Sequence, residues 1–318
     1  MSLVPRAGMK IVALAGGVGG AKLAHGLAQI LKPEDLTIIV NTGDDFEHYG
    51  LYICPDLDTV CYTLAGLANP ETGWGRVDET WNAIANASKL GGLDWFKLGD
   101  RDLGTHLERT RRLKAGESLS QITRDFCKAW GIEHTVLPMC DQPVRTMVNT
   151  EEGELAFQEY FVHRRCEPKV KGFRFEGADE AEPAERAREA VESADAIVIC
   201  PSNPWVSVDP ILATLTPSLS LKGRGGIVAV SPIIGGETVK GPAAKMYREL
   251  GIEPSALAVA NHYQGVATHF VMDTVDSQLT ESVRGLNMRT LVTNTLMKSH
   301  EDRRQLAQAI LQFTGSDS

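Results

Sequence analysis

Two stretches of this chain have the residue types and spacing to hold an anion and a cation side by side. In Gly16-Gly17-Val18-Gly19-Gly20 the missing side chains let a ligand approach the backbone, and free N–H groups at a following helix start favour negative charge. The run fits neither the Walker pattern nor G-x-G-x-x-G, because Lys22 stands where the last glycine belongs. A strand-to-helix turn also takes glycine for its geometry alone. Asp44 and Asp45 follow Asn41-Thr42-Gly43, and Asp56 and Asp58 lie in Cys54-Pro55-Asp56-Leu57-Asp58. Carboxylates gathered without Cys or His pairs suit Mg²⁺. The same residues are common in turns and caps, and Asp58 before Thr59 also reads as a cap.

Three further groups carry polar chemistry. Lys97-Leu98-Gly99-Asp100-Arg101-Asp102 sets two acids around an arginine beside a lysine, a pattern that grips phosphate and metal together or forms a solvated salt-bridge loop. Ser202 and Asn203 lie between Pro201 and Pro204, as phosphate donors or as parts of a rigid turn. Trp74, Trp81 and Trp95 can stack on a flat heterocycle, although tryptophan is more often core. His48, His106 and His262 have no partner visible in the sequence.

These groups need elements to position them. Lys10–Ala15 reads as a buried strand, Ala21–Leu31 as a helix and Leu36–Val40 as a second strand, which opens a parallel doubly wound sheet. The far half repeats the theme with a helix over Ala184–Ser193 and strands at Ala196–Cys200 and Gly226–Val230. Shorter strands are expected at Ala256–Ala260, His269–Val271 and Thr290–Val292, then a helix over Leu296–Phe313. Residues from about Thr59 to Trp130 read as a mainly helical insertion. Val136 to Phe175 alternates like strands or a hairpin at the sheet edge, and the acidic stretch Glu176–Glu185 reads as a loop and helix start. The reading is therefore a single Rossmann-like α/β domain over residues 9–318, a three-layer αβα arrangement with a mostly parallel sheet. Met1–Gly8 reads as an expression scar.

The bulk numbers exclude several classes. A net charge of −9, with only short basic clusters such as Arg109-Thr110-Arg111-Arg112 and His163-Arg164-Arg165, disfavours nucleic acid. The six cysteines show no C-x-x-C spacing, so zinc is not expected and the thiols read as reduced and buried. No apolar run approaches the roughly 18 residues of a membrane span, and no signal peptide is evident, so a cytoplasmic location is expected.

The order of the motifs is more specific than any one of them. Gly16–Gly20, Asn41–Asp45, Cys54–Val60, Lys97–Asp102 with Thr105-His106, Pro201–Pro204, and Ser231–Gly236 with Lys240-Gly241-Pro242 together closely resemble the 2-phospho-L-lactate transferase family, from about Met9 to the C-terminus. The resemblance implies an enzyme of coenzyme F420 biosynthesis. Its donor is the guanosine diphosphate ester of a lactyl, enolpyruvyl or glyceryl acid. Its acceptor is the terminal ribityl hydroxyl of Fo (7,8-didemethyl-8-hydroxy-5-deazariboflavin), and GMP is released. It also implies a homodimer, and it points to Asp58 and Lys97 as contacts to the deazaflavin. Combined with the residue chemistry, it makes Gly17, Val18, Gly19 and Gly20 the diphosphate holders. Asp44 and Asp58 become the Mg²⁺ ligands and catalytic carboxylates, one of them accepting the hydroxyl proton, while Asp45 joins the substrate contacts. Asp100, Arg101, Ser202 and Asn203 are expected at phosphates or guanosine.

Two other classes share the architecture. A uridine-diphosphosugar-binding regulator of the same fold has the glycine loop, but Gly73–Trp81 and Gly99-Asp100-Arg101-Asp102 look like the transferases. A nicotinamide-dependent dehydrogenase is weakened by the poor glycine fingerprint and by the lack of an acid ending the second strand before Asn41.

Overall fold

The computed structural model describes residues 8–215 and 226–315, so Met1–Ala7 of the expected scar lie outside the described residues. Aliphatic and β-branched runs form the strands Ile11–Ala15 (β1), Leu36–Val40 (β2), Thr135–Pro138 (β3), Ala196–Ile199 (β4), Ile227–Val230 (β5), His269–Asp273 (β6) and Arg289–Thr293 (β7). They pair in the order β7-β6-β5-β4-β1-β2-β3, every pair parallel. β1 is apolar at every position because helices cover both of its faces. Ile11, Ala13 and Ala15 enter one core layer; Val12 and Leu14 enter the other.

The helices are Gly17–Ala28 (α1), Pro55–Leu64 (α2), Asn82–Lys89 (α3), Asp100–Lys114 (α4), Leu119–Ala129 (α5), Glu185–Ser193 (α6), Asp209–Leu215 (α7), Ala243–Glu249 (α8), Ala256–His262 (α9), Thr280–Arg284 (α10) and His300–Gly315 (α11). α1, α2, α5 and α11 cover one face of the sheet, and α6 to α10 pack on the other. The stretch from 59 to 130 carries most of α2, then α3, α4 and α5, with irregular chain between. None of the helices among the described residues is long and apolar enough to cross a membrane.

Three sequence expectations change. Ala256–Ala260 is helix, not strand: the Ser255 side chain caps it by accepting from the Ala258 N–H, and its alanines favour helix. The last helix begins at His300 rather than Leu296. Asp302 accepts from the N–H groups of Lys298 and Ser299, while Ser299 Oγ accepts from the Asp302 N–H, which fixes the start there. The alternating segment after residue 136 makes β3 at the edge of the main sheet. It then forms a separate antiparallel sheet of Gly153–Ala156, Arg145–Thr150 and Val170–Glu176.

Candidate active site

The strand order reverses at β1, whose neighbours are β2 and β4. In such sheets the crevice beyond the strand ends at the reversal is where ligands gather. The glycine run leaves β1 there, and it is helical from Gly17, four residues earlier than the apolar period predicts. Gly17 has φ +59, a left-handed value that costs glycine little. Gly19 allows a close approach: a Cβ there would stand 2.2 Å from the Pro201 carbonyl oxygen.

Two side chains lock this turn. Ser202 Oγ donates to the Gly16 carbonyl at 2.7 Å and accepts from the Gly16 N–H at 3.3 Å. Asp56 Oδ1 accepts from the Gly17 N–H at 2.7 Å, and Asp56 Oδ2 accepts from Asn41 Nδ2 at 2.9 Å. Asp56 lies in the first turn of α2, so the N-terminal ends of α1 and α2 meet through one carboxylate, as helix dipoles favour. Burial lifts its carboxyl to about 6, against the pull of Asn41 and Gly17.

Asp44 and Asp45 follow β2 and are 5% and 1% exposed. Asp44 Oδ1 and both oxygens of Asp45 have no hydrogen-bond partner, and neither has the nearby Thr146 Oγ1, which sits against Gly43. Burial, then the charges of Asp56 and Asp45, pushes the Asp44 carboxyl well above the ordinary range. Burial lifts Asp45 to about 8, although the Cys54 thiol, Arg145 and Arg109 face it. Isolated buried carboxylates are costly. Oxygens without partners, all of hard-donor type, fit a small divalent cation such as Mg²⁺.

Asp58 sits differently. Arg109, 2% exposed, grips it with both guanidinium ends, Nη2 on Oδ1 and Nη1 on Oδ2 at 3.1 Å. His106 Nδ1 lies 3.7 Å from Asp58 Oδ2, and His106 Nε2 lies 3.6 Å from Asp102 Oδ1. Asp58, Asp102 and His106 are close enough to share an ion, with candidate ligand atoms within 4.8 Å of one another. The arginine already neutralises Asp58, however, and the Tyr62 hydroxyl donates to Asp102 at 2.6 Å. The oxygens lacking partners are those of Asp44 and Asp45, and they fit a cation better.

The other expected residues are placed less directly. Asp100 opens α4 and accepts from Thr80 Oγ1, the Asn82 N–H and side chain, and the Ala83 N–H, which ties α3 to α4. These bonds, the Thr80 hydroxyl first, hold its carboxyl well below the usual range. The backbone N–H of Arg101 donates to Glu79, and its guanidinium reaches the Val77 carbonyl at 3.4 Å. Asn203 Oδ1 caps the turn at Trp205. Lys97 is exposed just beyond an aromatic cluster of Phe46, His48, Trp95 and Phe96. Trp74 and Trp81 are exposed on the irregular chain. A cavity of about 430 Å³, lined by Trp205, Tyr247, Ser255 and His262 among others, includes none of the expected residues. Asp56, grouped in the sequence with the possible cation ligands, instead ties Gly17 to Asn41, and the sequence assigned no role to Asn41, Arg109 or Arg145. Their roles arise from pairings up to 165 residues apart, which spacing does not reveal.

Fold and site together define an α/β protein that holds a bare glycine turn beside partnerless buried carboxylates at its sheet's reversal point. The family model of 2-phospho-L-lactate transferase CofD matches residues 11–310. The phosphoenolpyruvate transferase of Streptomyces griseus is 42% identical over 312 residues, covering 96% of this chain and 98% of its own. The 2-phospho-L-lactate transferase of Methanosarcina acetivorans is 38% identical over 301 residues, covering 95% and 98%. A crystal structure of a UPF0052 family member from Bacillus halodurans shares the fold, with a TM-score of 0.62 at 15% identity over 96% of this chain and 99% of that one. This chain belongs to the 2-phospho-L-lactate transferase CofD family.

Proposed function

We propose that this transferase moves a phosphorylated three-carbon acid from its guanosine diphosphate ester to the ribityl hydroxyl of Fo, releasing GMP, as a Mg²⁺-dependent step of coenzyme F420 biosynthesis. The observation that carries the reading is the pair Asp44 and Asp45, buried with partnerless oxygens beside the glycine turn.

An alcohol attacking a diphosphate needs in-line placement and charge neutralisation more than a covalent nucleophile. Backbone N–H groups of Val18, Gly19 and Gly20 take the diphosphate, on a turn that Ser202 and Asp56 keep rigid before substrate arrives, the Gly17 N–H being committed to Asp56. Asp44 and Asp45 would hold the cation, which would supply positive charge to the phosphate groups. Asp58, aimed by Arg109, keeps acceptor capacity for the ribityl hydroxyl and orients it. Lys97 and the adjoining aromatic cluster lie on the side we assign to the deazaflavin.

The test is a single-turnover reaction with Fo, Mg²⁺ and each of the three guanosine diphosphate donors, following GMP by chromatography. GMP release that requires both Fo and the metal, and that falls at least 100-fold in Asp44→Asn and Asp58→Asn, is expected. Release that ignores Fo, or no release with any donor, sinks the reading.

A further inference from the structure

One face of α1 carries Val18, Lys22 and Gly26, spaced four apart and therefore stacked along the helix. Each end of that face meets another element. At Val18, a Cβ on Gly73 would stand 2.8 Å from Val18 Cγ1 and 3.1 Å from Lys240 Nζ. At Gly26, a Cβ would stand 2.2 Å from the Arg303 carbonyl oxygen and 3.2 Å from Arg303 Cβ. Lys22 therefore lies between Lys240, just after the antiparallel pair Ile233–Ile234 and Glu237–Thr238, and Arg303 of α11.

The three cations use only neutral partners. Lys22 Nζ donates to the Met297 carbonyl at 3.0 Å, and Lys240 Nζ donates to the Thr72 carbonyl at 2.6 Å. Arg303 Nε is buried without a hydrogen-bond partner. Among the described residues none of the three makes an ion pair with a carboxylate, in a chain whose other arginines mostly do. Burial first, then Arg303 and Lys240, lowers the proton affinity of Lys22, so the like charges act on one another. Three cations gathered along one helix, Lys22 and Arg303 half-buried and Lys240 exposed, without a carboxylate between them are relieved by an anion.

We propose that Lys22, Lys240 and Arg303 form an anion subsite along α1 that receives an oxyanion group of the donor beyond the part held by the glycine turn. The assignment to the donor rests on the function proposed above. The group is either the guanosine-side phosphate or the carboxylate of the three-carbon acid, which share this chemistry.

Calorimetric titration of the full-length protein with inorganic pyrophosphate, GDP and phosphoenolpyruvate tests it. The variants are Lys22→Met, the exposed Lys240→Gln as a safeguard against misfolding, and Lys114→Met as a control for net charge. Loss of one charge-assisted hydrogen bond should weaken binding by about tenfold or more in the first two and leave the control near wild type. Weakening confined to GDP and pyrophosphate assigns the row to phosphate, and weakening confined to phosphoenolpyruvate assigns it to carboxylate. Wild-type affinity for all three probes in both Lys22→Met and Lys240→Gln overturns the subsite, as does a wild-type protein that binds none of them. Anion binding lost in the variants, together with no transfer to Fo in any protein, keeps the subsite and removes the proposed reaction.

Discussion

Asp44 sits where the protein supplies almost no positive charge to neutralise it, so in the cation-free state it is a local cost to folding. Replacing Asp44 with Asn removes a charge that burial, Asp56 and Asp45 all oppose. Thermal unfolding in EDTA at pH 8 should therefore show Asp44→Asn more stable than wild type by about 1 kcal/mol, or ~2–4 °C, while its transfer activity collapses. An equal or lower midpoint would mean that Asp44 is not held at a cost. Arg109→Met should do the reverse. It strands Asp58 in a buried place and should destabilise by about 3–5 kcal/mol in urea unfolding, with Arg109→Lys intermediate. The acids after Asn41 stood out in the sequence because they follow a strand end, where ligands gather in open α/β sheets, although acids are also common in turns. Arg109 did not. Within Arg109-Thr110-Arg111-Arg112 it looks like its neighbours, and only the helical period turns it inward while Arg111 pairs with Glu108 on the surface.

The contact between α1 and α11 depends on small and uncharged groups. Gly26 lets the α11 backbone come close, so Gly26→Ala should force the helices apart and cost about 1–3 kcal/mol, read from chemical denaturation. His25 packs edge-on against His300 and is hydrogen bonded to Gln29 on its own helix. Burial, then Arg303 and His300, depresses its imidazole to about 4 from the ordinary 6.5. Between those values the unfolded chain binds the extra proton, so folding stability must rise with pH through that window. His25→Gln should flatten the dependence of the unfolding midpoint between pH 4 and 6.5, and an unchanged slope would assign it to other groups. Elements of this kind were legible where period and length agreed, as in β1, β2 and α6. They were not legible where a cap decided the outcome: the short apolar run at Ala256 reads as a strand for its length, and the Ser255 cap with its alanines makes it a helix.

The whole molecule was legible as an alternation of strands and helices that reads as a parallel, doubly wound sheet, and the seven parallel strands bear this out. The separate antiparallel sheet was not, since alternation alone does not say which sheet a strand joins. At this scale the bound state should be measurably tighter than the free one. The glycine turn, the α2 start and the Pro201 turn are joined by hydrogen bonds through Asp56 and Ser202, so a ligand engaging any of them stabilises the common core. Mg²⁺ with GDP should raise the unfolding midpoint, the increment growing with ligand concentration as mass action requires. Asp44→Asn should lose the Mg²⁺-dependent part of that increment.

β1 is the first strand synthesised, yet it lies between β2 and β4, and the helix that follows it is covered by the last helix of the chain. A nascent chain on the ribosome thus cannot complete the glycine turn until Ser202 has been made, nor cover α1 until α11 emerges. Native contacts of such long sequence separation fold slowly. A chain lacking the residues from 300 onward should therefore leave the α11-facing side of α1 bare, an apolar surface prone to aggregation.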